Sequence, residues 1–550
     1  MRPLRELGLV VSGFSALTAA IFFPLSFRLS TLAYNVENGD GQFSVWNVAW
    51  VARTLIAEPR QLFDANIFHP HRWALAYSEM NLAAGAIAVP AYWATHSAYA
   101  ALNFAVLASF VLGSSSMYYL CRHLTGDRTA SIIGAIIFGF CPFAFAHLLH
   151  IQLLMTAGLP LSLLAFHRAV QQPTAARGAV LGLAMGFQSL ACAYYSVFVV
   201  LMIGTAVMAV ASIRSLWTTR QFWLMLATGA VVAVVASLPT ALGYFVLRDN
   251  GYERPLDAAR QYSADWRAYL ASGHMLHAWM LPYLGHWKEV LFPGFLTIGA
   301  GAIGVASGWR SQGRPRETVI VYLAMVVLGA WASFGPDAGL YPLLYQTIPL
   351  FSVMRAPVRF GLIVIFGLSV LASLGIAHLR ARSRRPLVVG AVLLTAALAE
   401  SWISITFEPA LLPHSGYHVL ATMPRGPVLE LPIYSRRLGF RRSRYMMDST
   451  THWMPLVDAY SDSIPEEFEA RSVILADFPS ADSLQDLRRD SVRYAVIHLD
   501  AYDDPAMRQS LFDRLDQFAP ALKELYRAPD FLLYEIVGST EPAREGNVLP

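Results

Sequence analysis

The chain has 550 residues, with 41 Lys and Arg against 37 Asp and Glu and a formal net charge of +4. Apolar residues make up 55% and charged residues 14%, against about 25% charged in an ordinary soluble domain, and the mean hydropathy is +0.44. These values exclude a soluble globular protein and a disordered chain, and leave a multi-spanning membrane protein.

The small net charge conceals a division. Residues 1–404 carry 26 basic and 15 acidic side chains, whereas residues 405–550 carry 15 and 22. The second stretch has the charge density of a soluble domain and the first does not. We therefore expect a polytopic membrane domain over 1–404 and a polar domain over 405–550. Cys121, Cys141 and Cys192 lie in or beside apolar segments and form no disulfide framework or CxxC pair. No dense Lys/Arg tract or zinc spacing points to nucleic acid.

In chain order, Leu7 to Phe27 is an apolar run behind Arg2 and Arg5. It is longer than a signal-peptide core and reads as an uncleaved first span. The loop 28–98 follows, in which 44–53 places aromatic and apolar residues at helical spacing and suits a helix lying in the membrane interface. Further spans are expected near 99–121, 129–147, 151–168, 178–193, 194–213, 221–247, 290–308, 318–335, 359–379 and 387–404.

The short segment 82–97, which contains Pro90, is decided by charge. If it does not cross, the thirteen arginines at 122, 128, 168, 177, 214, 220, 310, 314, 316, 380, 382, 384 and 385 share a side with Arg2 and Arg5, as the positive-inside rule requires. It then reads as a re-entrant or interfacial element. The N-terminus is cytoplasmic, and about eleven crossings place the C-terminal domain outside. The long external loops are 28–98, 248–289 and 336–358. In the tail, strands at 428–432, 493–498 and 531–536 alternate with helices at 465–475, 482–490 and 506–518, a small α/β domain.

Residues suited to chemistry collect on the external side. Glu37-Asn38-Gly39-Asp40-Gly41-Gln42 reads as a tight turn that presents Asp40, with Glu37 near enough to assist. A carboxylate there accepts a proton from a hydroxyl or binds a divalent cation; an ordinary surface turn has the same composition. His69 and Glu79 follow in the same loop. His147 and His150, at i and i+3, share a helix face with Gln152 just beyond. With Asp40 they form the candidate metal set, the metal itself being unknown. Arg355 and Arg359 stand at the external entry to a span, where guanidinium forks suit phosphate oxygens. Asp265 and Glu289 are spare external carboxylates. Tyr445, Ser449, Thr450, His452, Trp453, Asp458, Tyr460 and Ser461 crowd one stretch of the tail as a sugar-binding surface or a hydrogen-bonded core.

The order of several pieces resembles the GT-C superfamily of membrane glycosyltransferases, and more closely a bacterial branch of it. They are Gly39-Asp40 after the first span, Trp46-Asn47-Val48-Ala49-Trp50, Ala65 to Pro70, Leu75 to Glu79, Ala146 to Gln152, Leu291 to Gly294, Arg355 to Phe360 and Ser449 to Val457. The resemblance implies a polyprenyl-phosphate-linked sugar donor, transfer at the external face of a bacterial inner membrane, and Asp40 as catalytic base or metal ligand. One departure stands out: the second acidic motif of many GT-C enzymes, near the end of the third span, is replaced here by His147 and His150. The acceptor stays open among glycan, lipid and protein. The competing classes are a transporter or lipid flippase, which calls for ionisable groups at mid-membrane depth, and a non-catalytic cell-envelope scaffold.

Overall fold

The computed structural model describes residues 2–249, 254–348, 351 and 354–539. Residues 250–253 of the expected 248–289 loop, and 349, 350, 352 and 353 of the 336–358 loop, lie outside the described residues. Eight helices are long and apolar enough to cross a membrane: Leu4–Ile21, Ala98–Thr125, Arg128–Ala146, Ile151–Gln171, Ala193–Ile213, Arg220–Arg248, Arg314–Ser333 and Pro357–Arg382. Shorter apolar helices cover Leu82–Thr95, Phe295–Trp309 and Pro386–Glu400. The protein is a multi-pass membrane protein.

Most of the helices that frame the site come from the first half of the chain. Helix α1 is Arg2–Ile21, α2 Gly39–Ala57, α3 Leu82–Thr95, α4 Ala98–Thr125 and α5 Arg128–Gly139. Then come α6 Pro142–Ala146, α7 Ile151–Leu154, α8 Gly158–Gln171, α9 Ala175–Ala191, α10 Ala193–Ile213 and α11 Arg220–Asp249. Side chains cap their free amides: Asn38 opens α2, Ser97 α4, Asp127 α5 and Thr174 α9. Helices α9 and α11 meet along Gly178, Gly182 and Gly186, where an added Cβ would strike Met225, Gly229 and Ala236. Small residues four apart let two backbones touch where no hydrophobic drive between helices exists.

Six strands form two sheets. β1 (Leu32–Ala33) pairs antiparallel with β2 (Glu408–Pro409) and ties the start of the tail to the first loop. β3 (Val428–Leu431), β4 (Tyr494–His498), β5 (Leu522–Arg527) and β6 (Phe531–Ile536) form the order β3-β4-β6-β5, parallel between β3 and β4 and antiparallel elsewhere. Helices Glu466–Ala476, Ala481–Arg489 and Pro505–Gln517 accompany this sheet. One face packs its own apolar cluster, including Leu429, Leu484, Ile497 and Leu532. Other sheet residues, Val428, Val496 and Leu533, join the larger apolar cluster that also takes in the long helices.

The seam between tail and first loop is built on Asn66, which is 5% exposed. Its Oδ1 accepts from Trp46 Nε1 at 2.9 Å, and its Nδ2 donates to Ser449 Oγ and the Met454 carbonyl, both at 3.1 Å. The backbone continues the join, Leu456 N donating to Asn66 O at 3.0 Å and His69 N to Leu456 O at 2.8 Å. Helix α2 spans the expected 44–53 segment, but its aromatics do not face lipid. Trp46 and Trp50 are buried, and Trp50 lies 5.8 Å from the ring of Trp453. The tail covers the apolar face that the interface reading left to the membrane.

Replacing Asn66 by Ala strands buried donors and acceptors on both sides of the seam, at about 1–3 kcal/mol for each group left unsatisfied. The expected result is a lower thermal midpoint in detergent and faster limited proteolysis between residues 405 and 465, with the spans intact.

Candidate functional site

Asp40 stands in the first turn of α2, not in the expected tight turn. Asn38 Oδ1 accepts from Asp40 N at 2.9 Å and Gly41 N at 3.3 Å, so the helix begins one residue before the carboxylate. The flanking glycines provide clearance: a Cβ on Gly39 would lie 2.8 Å from Phe440 O, and one on Gly41 2.9 Å from Leu149 Cδ2. Tyr460 OH donates to Asp40 Oδ1 at 3.0 Å, and His150 Nε2 lies 3.3 Å from Oδ2. The hydrogen bond from His150 holds the Asp40 carboxyl below its ordinary value against the opposing effect of burial, with help from Tyr460 and the charge of Arg355. The positive end of the α2 dipole acts in the same direction.

Beside this pair stands a second. His147 Nδ1 donates to Phe143 O at 2.8 Å, and His147 Nε2 lies 3.3 Å from Glu289 Oε2. The two imidazole rings are 5.9 Å apart. Burial pushes the Glu289 carboxyl up, but the charge and hydrogen bond of His147, with the Val290 amide and the charge of Arg359, outweigh it and hold the group below its ordinary value. Glu289, a spare carboxylate in the sequence, thus reaches the end of the third span, where no carboxylate stands in the chain itself.

Asp40, Glu79, His150, Gln152, Arg355 and Arg359 all line one cavity of about 830 Å³. Its head is polar and also holds Arg254, Tyr194, Tyr460 and Asp462; its walls are apolar residues of α10 and α11, among them Val197, Val200, Val234 and Leu238. Tyr194 OH donates to Ala356 O at 2.7 Å and accepts from Ala356 N at 3.1 Å, clamping the peptide between the two arginines onto the start of α10. Arg359 lies over the Tyr194 ring at 4.9 Å and Arg355 over Tyr262 at 5.4 Å. Glu79 Oε1 accepts from Ala193 N at 3.0 Å at the break between α9 and α10, and burial pushes its carboxyl up to about 7.

Three expected site residues do not line the cavity, His147 being the one that pairs with Glu289 beside it. Glu37 is exposed and does not line the cavity. His69 belongs to the seam: its Nε2 lies 3.0 Å from Asp490 O, and burial pushes its imidazole down. Of the crowded tail stretch, Tyr445, Ser449, His452, Trp453 and Asp458 are buried, and only Tyr460 and Ser461 reach the cavity. Arg254, Tyr194 and Asp462 did not stand out by spacing; their only signal was a polar residue at the edge of an external segment. Among the described residues no group of three His, Cys, Asp or Glu is gathered to hold a metal ion. The donors form two separate ion pairs, Asp40 with His150 and Glu289 with His147, rather than one set of three around a single divalent ion.

The family described as Domain of unknown function (DUF6311) matches residues 88–399, more than half of the chain. The chain belongs to DUF6311. The DUF6311 match contains His147, His150, Glu289, Arg355 and Arg359, whereas Asp40, Glu79, Tyr460 and Asp462 flank it. A comparison with curated protein sequences finds no match. Among solved structures, the arabinofuranosyltransferase AftD from Mycobacteria is similar with a TM-score of 0.58 at 12% identity, over 97% of this chain and 40% of its own. This chain therefore spans about two fifths of the length of that protein. ArnT from Cupriavidus metallidurans in the apo state gives 0.47 at 16% identity, over 96% of this chain and 98% of its own. The apo oligosaccharyltransferase of Archaeoglobus fulgidus gives 0.46 at 11% identity, over 96% and 74%. The fold of this DUF6311 protein is that of the GT-C membrane glycosyltransferases.

Two measurements probe the electrostatics. In His150→Gln the strongest influence holding Asp40 down is weakened, so the acid limb of any Asp40-dependent pH profile moves to higher pH. Glu79 binds its proton more tightly folded than unfolded, so it subtracts stability as pH rises from its ordinary value of 4.5 to about 7. Glu79→Gln should remove that slope, gaining relative stability at the alkaline end of thermal melts taken across this window.

Proposed function

We propose that the protein is an integral membrane glycosyltransferase that moves a sugar from a polyprenyl-phosphate-linked donor to an extracytoplasmic acceptor: a glycan, a lipid or a protein. One observation carries the reading. The Asp40 carboxylate opens on a cavity lined by four arginines, Arg248, Arg254, Arg355 and Arg359, with the apolar faces of two span-length helices as its walls. A lipid-phosphate donor has the same two parts, an anionic head and a hydrocarbon tail that stays in the bilayer. The fold shared with a mycobacterial arabinofuranosyltransferase supports the class of reaction.

In this reading the eight long helices, together with Ala175–Ala191, Phe295–Trp309 and Pro386–Glu400, make eleven crossings of a bacterial inner membrane. Leu82–Thr95 is re-entrant. The N-terminus is cytoplasmic, 1–404 is the membrane domain with its first external loop at 28–98, and 405–550 is an extracytoplasmic α/β domain.

The acceptor hydroxyl lies beside Asp40, which takes its proton. The freed oxygen bonds to the anomeric carbon as the bond from that carbon to the phosphate oxygen breaks. The electron pair leaves with the phosphate, whose charge Arg355 and Arg359 hold. Gln152 faces the sugar, and His150 and Tyr460 orient the Asp40 carboxylate. Glu79 shapes the cavity by capping α10. Glu37 and His69 take no part in the step, and no step runs through a metal ion.

Purified protein in detergent, incubated with lipid-linked sugars and an acceptor mixture, should consume a polyprenyl-phosphate sugar by mass spectrometry. Asp40→Asn should lower the rate by about a hundredfold or more, the scale of losing a general base, with an unchanged melting profile. Turnover of that variant at the wild-type rate would sink the assignment of Asp40.

A further inference from the structure

Asp462 stands where four segments of the chain meet. It belongs to the tail, and its Oδ2 accepts from Ser78 Oγ of the first loop at 3.1 Å. Its Oδ1 lies 3.1 Å from the Arg254 guanidinium and 4.0 Å from that of Arg355, which come from two further external loops. The next residue is fixed as well, Ser463 N donating to the Tyr77 carbonyl at 2.9 Å. The carboxylate is therefore held in the cavity head and is not a mobile surface acid.

A fixed negative charge at that point takes up part of the capacity of the arginines. Arg254 is committed to Asp462, and Arg355 is shared with it. Arg359 makes no ion pair among the described residues and presents its guanidinium beside Tyr194. Asp40 and Glu79 stand in the same head. Arg248 lines the cavity too, so four arginines face the three carboxylates Asp40, Glu79 and Asp462, and what remains for a ligand is one net positive charge. A sugar on a single polyprenyl phosphate is a phosphodiester with one negative charge. A polyprenyl diphosphate brings a second phosphate, whose charge would have to settle against Asp462.

We propose that Asp462 is a specificity residue that makes this site take a carrier with one phosphate and reject a carrier with two. The inference rests on the reading of the cavity as a lipid-phosphate site. It works by repulsion: the negative group that secures Arg254 and Arg355 penalises the wrong head.

The test uses the full-length protein in phosphatidylcholine nanodiscs, with undecaprenyl phosphate and undecaprenyl diphosphate as probes and binding read by native mass spectrometry. Wild type should favour the monophosphate by about tenfold or more, as expected for one partly screened like charge. Asp462→Asn should bind the diphosphate about tenfold more tightly than wild type does, while Asp462→Glu should keep the wild-type preference. Equal binding of both lipids by wild type would overturn the inference while leaving the lipid-phosphate reading in place, and that comparison needs no variant to fold. An Asn variant that keeps the wild-type preference would overturn it too. If neither lipid binds folded wild type, the reading of the cavity falls and the inference falls with it.

Discussion

Everything at the site depends on how the tail is fastened to the first loop. Asn66 satisfies Trp46 of α2 with one end of its amide and two tail groups with the other. The backbone bonds between 66–69 and 456 extend that join. From this fixed point the tail runs four residues to Tyr460 and six to Asp462, the two groups that close over Asp40 and the arginines. A buried amide that meets all its partners is worth more as a specifier of position than as a source of stability, because leaving any partner unmet is costly.

The head of the cavity is an alternation of opposite charges held close by neutral groups. Asp40 lies between a tyrosine and a histidine and Asp462 between a serine and two arginines, while Glu289 pairs with a second histidine outside the lining. Apolar walls rise directly beneath. Removing water strengthens each of these interactions and equally raises the cost of an unpaired charge. The arrangement suits an anionic head that arrives with its own charge and leaves with one more, since the surrounding groups are already oriented and need not reorganise.

Much of this was legible in the sequence, and the losses have physical causes. Three of the four strands of the tail sheet read directly from apolar runs, but β5, with Lys523, Glu524 and Arg527 on an edge strand, lacks the apolar alternation that marks a strand. Asp40, Glu79, His150, Gln152, Arg355 and Arg359 each stood out as polar groups at external positions, and they share a cavity. His69 stood out for the same reason yet belongs to the seam, because local composition does not distinguish a polar group facing a ligand from one that satisfies a buried carbonyl. Tyr460 stood out only as one member of a crowded tail stretch, and Asp462 lacked any local mark of function; only the fold brings them to the first loop.

The hydrogen bond between Tyr460 and Asp40 joins residues 420 positions apart. Loop-closure entropy grows only slowly with such a separation, so the finished protein bears the distance at little expense. For a chain still being made the effect is different. The membrane helices can be inserted one after another while the helix that carries Asp40 lacks its cover, its buried tryptophans still waiting for Trp453. The site comes into being only when the segment that carries Tyr460 and Asp462, more than four fifths of the way along the chain, has been made and has packed against the first loop. A ribosome that stalls before that segment therefore leaves Asp40 without the tyrosine that holds it, and the order of synthesis itself delays completion of the cavity.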